Sequence, residues 1–158
     1  MPKKPEDTEY RISAKLQKFM RNALDEEGFT QKAFAAAVGV SHDVIGRTLL
    51  YQCVPSMKSL IKLADYFQVP ILYMFEETEY SDFTPAKAPT TFFERLEQLT
   101  KEKVIKYSAL SHSLSFASNA VYEWFRTNSL PSLDYLKQLA KYFDVSVDYL
   151  LGRTDDRK

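Results

Sequence analysis

Few side chains in this 158-residue sequence have the type and spacing for covalent or metal chemistry. His42 and His112 stand far apart, with no second His or Cys spaced to complete a local ligand set, so no metal site is expected. Cys53 is the single cysteine, which excludes an intrachain disulfide and a Cys-rich zinc site. It sits in the loop Tyr51-Gln52-Cys53-Val54-Pro55 and reads as a part-buried apolar filler. Four glycines are too few for a glycine-rich phosphate loop. No nucleophile–base pair and no paired carboxylates stand out, so the expectation is a protein that is not an enzyme and needs no cofactor. What remains is contact chemistry. His42, Asp43 and Arg47 fall within six residues of one another, just after a glycine turn.

Two short helices must position those side chains. Residues 31–38 follow Thr30, and residues 42–50 follow Ser41; each hydroxyl can accept an orphan N–H of the first turn. Asp43 lies in a first turn, where the helix dipole favours negative charge. The joint is Gly39-Val40-Ser41, and two short helices on a three-residue glycine turn have helix-turn-helix spacing. Ala35 is small where the next helix crosses it, and Gly39 accommodates a left-handed turn. Phe34, Val38, Val40 and Ile45 fill the wedge, which leaves His42, Asp43, Gly46 and Arg47 pointing outward. Around this pair, residues 10–27 carry Ile12, Leu16, Phe19, Met20 and Ala23 on one helical face, closed by Gly28. Ser56 caps a helix over 57–67, and Pro70 opens a short one to Phe75.

The chain then repeats itself. Pro55 opens PSMKSLIKLADYFQVPILYMF and Pro131 opens PSLDYLKQLAKYFDVSVDYLL, an offset of 76 residues at which nine of 21 positions are identical. Val38 and Leu114, Val40 and Phe116, Ile45 and Val121, and Met20 and Leu96 extend the match upstream. A long period and only two copies argue for tandem domains against a solenoid. The second copy is expected to have helices over 92–103, 107–114, 118–126, 133–143 and 147–151, with Ser132 and Ser146 as its clearest caps. Residues 77–91 hold prolines, threonines and acids without apolar periodicity and read as a linker. No stretch alternates like a strand. The expected architecture is all-α: a tail over 1–9, a five-helix domain over 10–76, the linker, and a second five-helix domain over 92–158.

The stretch TQKAFAAAVGVSHDVIGRTLLYQCVPSMKSLIKLADYF resembles the lambda-repressor-like helix-turn-helix domain of phage Cro and repressor proteins, the xenobiotic-response-element family. PSLDYLKQLAKYFDVSVDYLLGR resembles its fourth and fifth helices. The resemblance implies a sequence-specific DNA-binding transcriptional regulator of bacterial or phage type, expected to be a repressor, with double-stranded DNA as partner. Gln31 matches the glutamine that opens the second helix and bonds a backbone phosphate. Ser41, His42, Asp43, Gly46 and Arg47 match the recognition face, and Arg47 is the leading base or phosphate contact because arginine can bond guanine bidentately. In the second copy the face corresponds to Ala117, Ser118, Asn119, Tyr122 and Glu123. Asn119 is a candidate adenine reader, and Arg126 a candidate phosphate contact. The second copy departs from the pattern. Tyr107 replaces the glutamine, Ser111 the small alanine and Ser115 the turn glycine, and Glu123 places an acid on the face.

Lys plus Arg and Asp plus Glu each total 21, so bulk charge draws no nucleic acid, and affinity would depend on a few placed contacts. No apolar run reaches the length of a membrane span, and the start MPKKPEDTEY has no apolar core, so a cytoplasmic protein is expected. Trp124 occupies a core position, and the Tyr66-Phe67 and Tyr142-Phe143 pairs read as structural. Met74-Phe75 and Leu150-Leu151 are candidate exposed apolar ends and hence dimer contacts. Two assemblies stay open: one chain spanning two half-sites, or chains paired in a homodimer by the less well-kept copy. The alternative function is an interaction or dimerisation scaffold in which one or both units no longer bind DNA.

Overall fold

A computed structural model describes residues 13–117 and 119–158. The expected tail over 1–9, the first residues of the first helix and the candidate site residue Ser118 lie outside the described residues. The fold is all-α. The chain forms two compact units, Met1–Asp82 and Phe83–Lys158. Unit 1 carries α1 (Ala14–Glu27), α2 (Gln31–Val38), α3 (His42–Tyr51), α4 (Met57–Phe67) and α5 (Ile71–Met74). Unit 2 carries α6 (Phe92–Lys103), α7 (Tyr107–Ser113), α8 (Ala120–Thr127), α9 (Leu133–Phe143) and α10 (Val147–Leu150).

Local chemistry starts and stops these helices. The side chains of Ser13, Thr30, Ser41 and Ser56 each accept a first-turn N–H in unit 1, and those of Thr91, Ser132 and Ser146 do so in unit 2. Left-handed residues end them: Gly28, Gly39, Gln52 and Gln68 in unit 1, and Val104, Ser115, Asn128 and Asp144 in unit 2. These pairs share the 76-residue offset of the sequence repeat, as do Glu76 and Gly152. The cores follow the same register. Phe34, Ile45, Leu60, Leu63 and Met74 are fully buried in unit 1, and so are Leu110, Val121, Leu136, Leu139 and Leu150 in unit 2.

The stretch expected to be a linker divides in two. Residues 77–82 precede unit 2, whereas 83–91 are tied to the C-terminal end of the chain. The Ala86 N–H donates to the Arg153 carbonyl at 2.9 Å, the Thr154 hydroxyl to the Thr84 carbonyl at 2.6 Å, and the Lys87 N–H to the Asp155 carboxylate at 3.0 Å. The Arg153 guanidinium lies 4.2 Å from the centre of the Phe83 ring and pairs with Asp148. Gly152 has φ +80, and a Cβ there would stand 2.7 Å from the Thr90 carbonyl oxygen, so only glycine fits this approach.

The apolar ends are not exposed. Met74 and Phe75 are buried in unit 1, and Leu150 and Leu151 in unit 2. The short fifth helix of each unit turns inward and packs on the fourth, which removes both ends as dimer contacts. Cys53 is exposed rather than part-buried, because it lies beyond the end of α3 where the chain leaves the core.

Candidate functional site

In unit 1, α2 and α3 meet at Gly39-Val40-Ser41. Gly39 takes φ 92, and its N–H and that of Val40 both donate to the Ala35 carbonyl, at 2.8 and 3.0 Å. Ala35 is buried beneath the crossing, and Phe34 and Ile45 are fully buried beside it. Phe34 contacts the rings of Phe29, Tyr66 and Phe67, so the Tyr66-Phe67 pair is a structural feature of α4.

Polar contacts hold the outward helix near both ends. Lys62 on α4 donates to the Gly39 carbonyl at 3.1 Å. At the far end the Leu49 carbonyl accepts from Gln17 Nε2 at 2.5 Å and from Arg21 at 2.7 Å, both on α1. The Gln52 side chain donates to Gln17 Oε1 at 3.1 Å, and the Gln52 carbonyl accepts from the Ser13 N–H at 2.8 Å. A cation on a helix C-terminus also suits the dipole. Gln17, Arg21 and Lys62 were not singled out in the sequence. The one visible signal was that Gln17 and Arg21 are one helical turn apart. Their targets are backbone groups of a distant segment, which side-chain spacing does not display.

Ser41, His42, Asp43 and Arg47 are all exposed. Ser41 caps α3, with its hydroxyl accepting from the Val44 N–H at 3.3 Å. Gln31, half-buried at the start of α2, reaches this helix: its Oε1 lies 3.7 Å from where a Cβ on Gly46 would stand. Gln31 and the centre of α3 are thus brought together. Among the described residues no ion pair joins Arg47 to Asp43 and none holds the Arg47 guanidinium. Beyond Arg47 the helix ends in exposed Leu50 and Tyr51. Among the described residues no cluster of His, Cys, Asp and Glu is placed to hold a metal.

Unit 2 builds the same frame with a different face. Ser115 takes the left-handed turn at φ 59, and Ser111 is fully buried at the position of Ala35. Trp124 is buried against Phe92, Phe116 and Tyr135, as its core position predicted. Asn119 is exposed and precedes α8 without a side-chain capping bond. Tyr122 stands at the position of Gly46 and is 62% exposed. Glu123, at the position of Arg47, takes Arg126 in two bonds, Nε to Oε2 at 2.9 Å and a terminal nitrogen to Oε1 at 2.6 Å. The Arg126 hydrogen bonds hold the Glu123 carboxyl below its usual range, and the same bonds raise the guanidinium. Tyr107, at the position of Gln31, stacks on Phe125 with ring centres 5.0 Å apart.

The sequence of residues 20–74 matches a helix-turn-helix family. The chain is also similar to an uncharacterised HTH-type transcriptional regulator, YobD, of Bacillus subtilis (strain 168), with 37% identity over 65 residues. That alignment covers 41% of this chain and 58% of the relative's length. No solved structure matches the chain. Residues 20–74, within unit 1, therefore resemble a helix-turn-helix domain, and the relative that aligns with the chain is described as a transcriptional regulator.

Proposed function

We propose that the protein is a DNA-binding transcriptional regulator, acting as a repressor, and that unit 1 reads the major groove with α3. The observation that carries the reading is Arg47: an exposed guanidinium without an ion-pair partner among the described residues, one turn from Asp43 on a helix that is tied near both ends and touched by Gln31 at Gly46. An arginine of that kind can bond the O6 and N7 of guanine bidentately. Ser41, His42 and Asp43 lie on the leading end of the same helix, where side chains reach base edges when a recognition helix enters the groove. Gln31, at the start of α2, is placed to bond a phosphate and set the register. With net charge zero, such placed contacts have to supply the affinity.

Selection of bound duplexes from random DNA, followed by shift assays on the winning sequence, tests this. Arg47→Ala should weaken the selected site by about 1–3 kcal/mol and relax preference at one base pair. Failure to enrich any duplex, or equal affinity of wild type and Arg47→Ala, rejects the role of α3. Asn119, Tyr122 and Arg126 are the corresponding candidates in unit 2, but there the arginine is already engaged by Glu123. Unit 1 is therefore the primary reader.

A further inference from the structure

We propose that Leu50 is a second base reader of unit 1, contacting the 5-methyl group of a thymine close to the base pair taken by Arg47. This rests on the reading of α3 as the groove helix. Leu50 is 64% exposed and its neighbour Tyr51 68%, so α3 ends in an apolar surface turned to solvent. An exposed leucine is ordinary by itself; the place of this one is not. Leu50 follows Arg47 by three residues and Asp43 by seven, which puts it on the same outward stripe of α3. One turn before it stands Gly46. A glycine inside a helix is costly, and the packing of the protein does not call for this one. Among the described residues a Cβ there would meet only the end of the Gln31 side chain, at 3.7 Å. What bare backbone at Gly46 does allow is close approach of a ligand to the middle of α3, with Arg47 and Leu50 beside it.

Geometry and chemistry fix what Leu50 can read. Three residues of helix advance about 4.5 Å, and successive bases stand about 3.4 Å apart along the duplex. Leu50 therefore lies about one to two base steps from the guanine of Arg47. A leucine side chain has no donor or acceptor, and the apolar feature of the base edges in the major groove is the thymine methyl. Bringing the two together removes apolar surface of both from water. Such a contact discriminates only if the side chain is held in place. The Leu49 carbonyl, one residue before, accepts from Gln17 and Arg21 of α1, so this end of α3 is anchored. Unit 2 lacks the feature, because at the equivalent positions α8 has Arg126 and Thr127.

The duplex that the full chain selects from random DNA is resynthesised with each thymine in turn replaced by deoxyuridine. That exchange removes the methyl and leaves every hydrogen-bonding group. The base pair at which Arg47→Ala relaxes preference marks the guanine. Wild type should lose about fourfold in affinity at one thymine within about two base pairs of it, the worth of one buried methyl. Leu50→Ala should bind the thymine and deoxyuridine duplexes equally, and the thymine duplex more weakly than wild type does. Leu50 is exposed, so the variant keeps its core, and an unchanged urea midpoint by circular dichroism verifies it. Wild-type indifference to every deoxyuridine, or a Leu50→Ala protein that still tells thymine from deoxyuridine, overturns the proposal and leaves the Arg47 reading standing. Failure to select any duplex removes both. A Leu50→Ala protein that binds every duplex as wild type does but changes mass in sedimentation also overturns it, and assigns the apolar end of α3 to a protein contact.

Discussion

Arg47 and Arg126 are the same side chain on equivalent helices, and their partners set them apart. Among the described residues no acid pairs with the Arg47 guanidinium, whereas Arg126 spends two donors on Glu123. An exposed pair of that kind contributes little to stability, so its larger effect is on the charge that the surface presents. Gly152 shows the opposite case, in which the absence of a side chain matters. Its left-handed φ and the Thr90 carbonyl 2.7 Å from a would-be Cβ both exclude alanine. The backbone conformation alone costs an L-residue about 1–2 kcal/mol. Gly152→Ala should therefore destabilise unit 2 by at least that much in urea unfolding. The chain's one tryptophan, Trp124, lies in unit 2 and reports the transition by fluorescence.

At the scale of elements, the two units share helix ends more faithfully than side chains. Among the described residues every left-handed residue of unit 1 has a left-handed counterpart in unit 2, yet Gly28 is replaced by Val104 and Gly39 by Ser115. Val104 at φ 53 is the most strained of these, because its β-branched side chain crowds the following carbonyl. It is 89% exposed, so its methyl groups gain little from burial. Val104→Gly should stabilise unit 2 by about 1 kcal/mol: the strain of about 1–2 kcal/mol is relieved, against about 0.5–1 kcal/mol of added chain entropy. The check is a higher urea midpoint with an unchanged slope. An unchanged or lower midpoint would show that the turn tolerates valine without strain.

At the scale of the whole molecule, the useful boundary is the one between Asp82 and Phe83. Residues 83–91 bond to Arg153, Thr154 and Asp155, and the C-terminal end is held further by two bonds from Arg157 to Glu102, at 3.0 and 2.8 Å. Arg95, buried under this clasp, donates to the Tyr149 carbonyl at 2.9 Å and to Asp155 at 3.1 Å. Limited proteolysis of residues 13–158 should thus cut first within 77–82, leaving 83–91 attached to unit 2. First cuts between Phe83 and Thr91 would show that the clasp opens readily.

The division between what was legible in the sequence and what was not follows the range of the forces involved. Helix limits depend on groups a few residues apart: a hydroxyl three positions before an N–H, a glycine after the last turn, apolar residues every three or four. Thr30, Ser41, Ser56 and Gly39 could therefore be read directly, as could the wedge of Phe34 and Ile45 and the core place of Trp124. The repeat was equally plain, because it lies in residue identity. Contacts across long loops were not. Gln17 and Arg21 bind a carbonyl some thirty residues away, and backbone oxygens leave no mark in the sequence. Apolar ends look alike whether they face solvent or fold inward, so the burial of Leu150-Leu151 and the exposure of Cys53 had to come from packing. The supposed linker lacked apolar periodicity along its whole length, and only the returning C-terminus decided which half belongs to unit 2. The same holds for the face that matters most. Arg47 could be placed on an outward helix from spacing, and Glu123 from the family resemblance, but whether a charge is paired depends on rotamers and neighbours that only the folded structure sets.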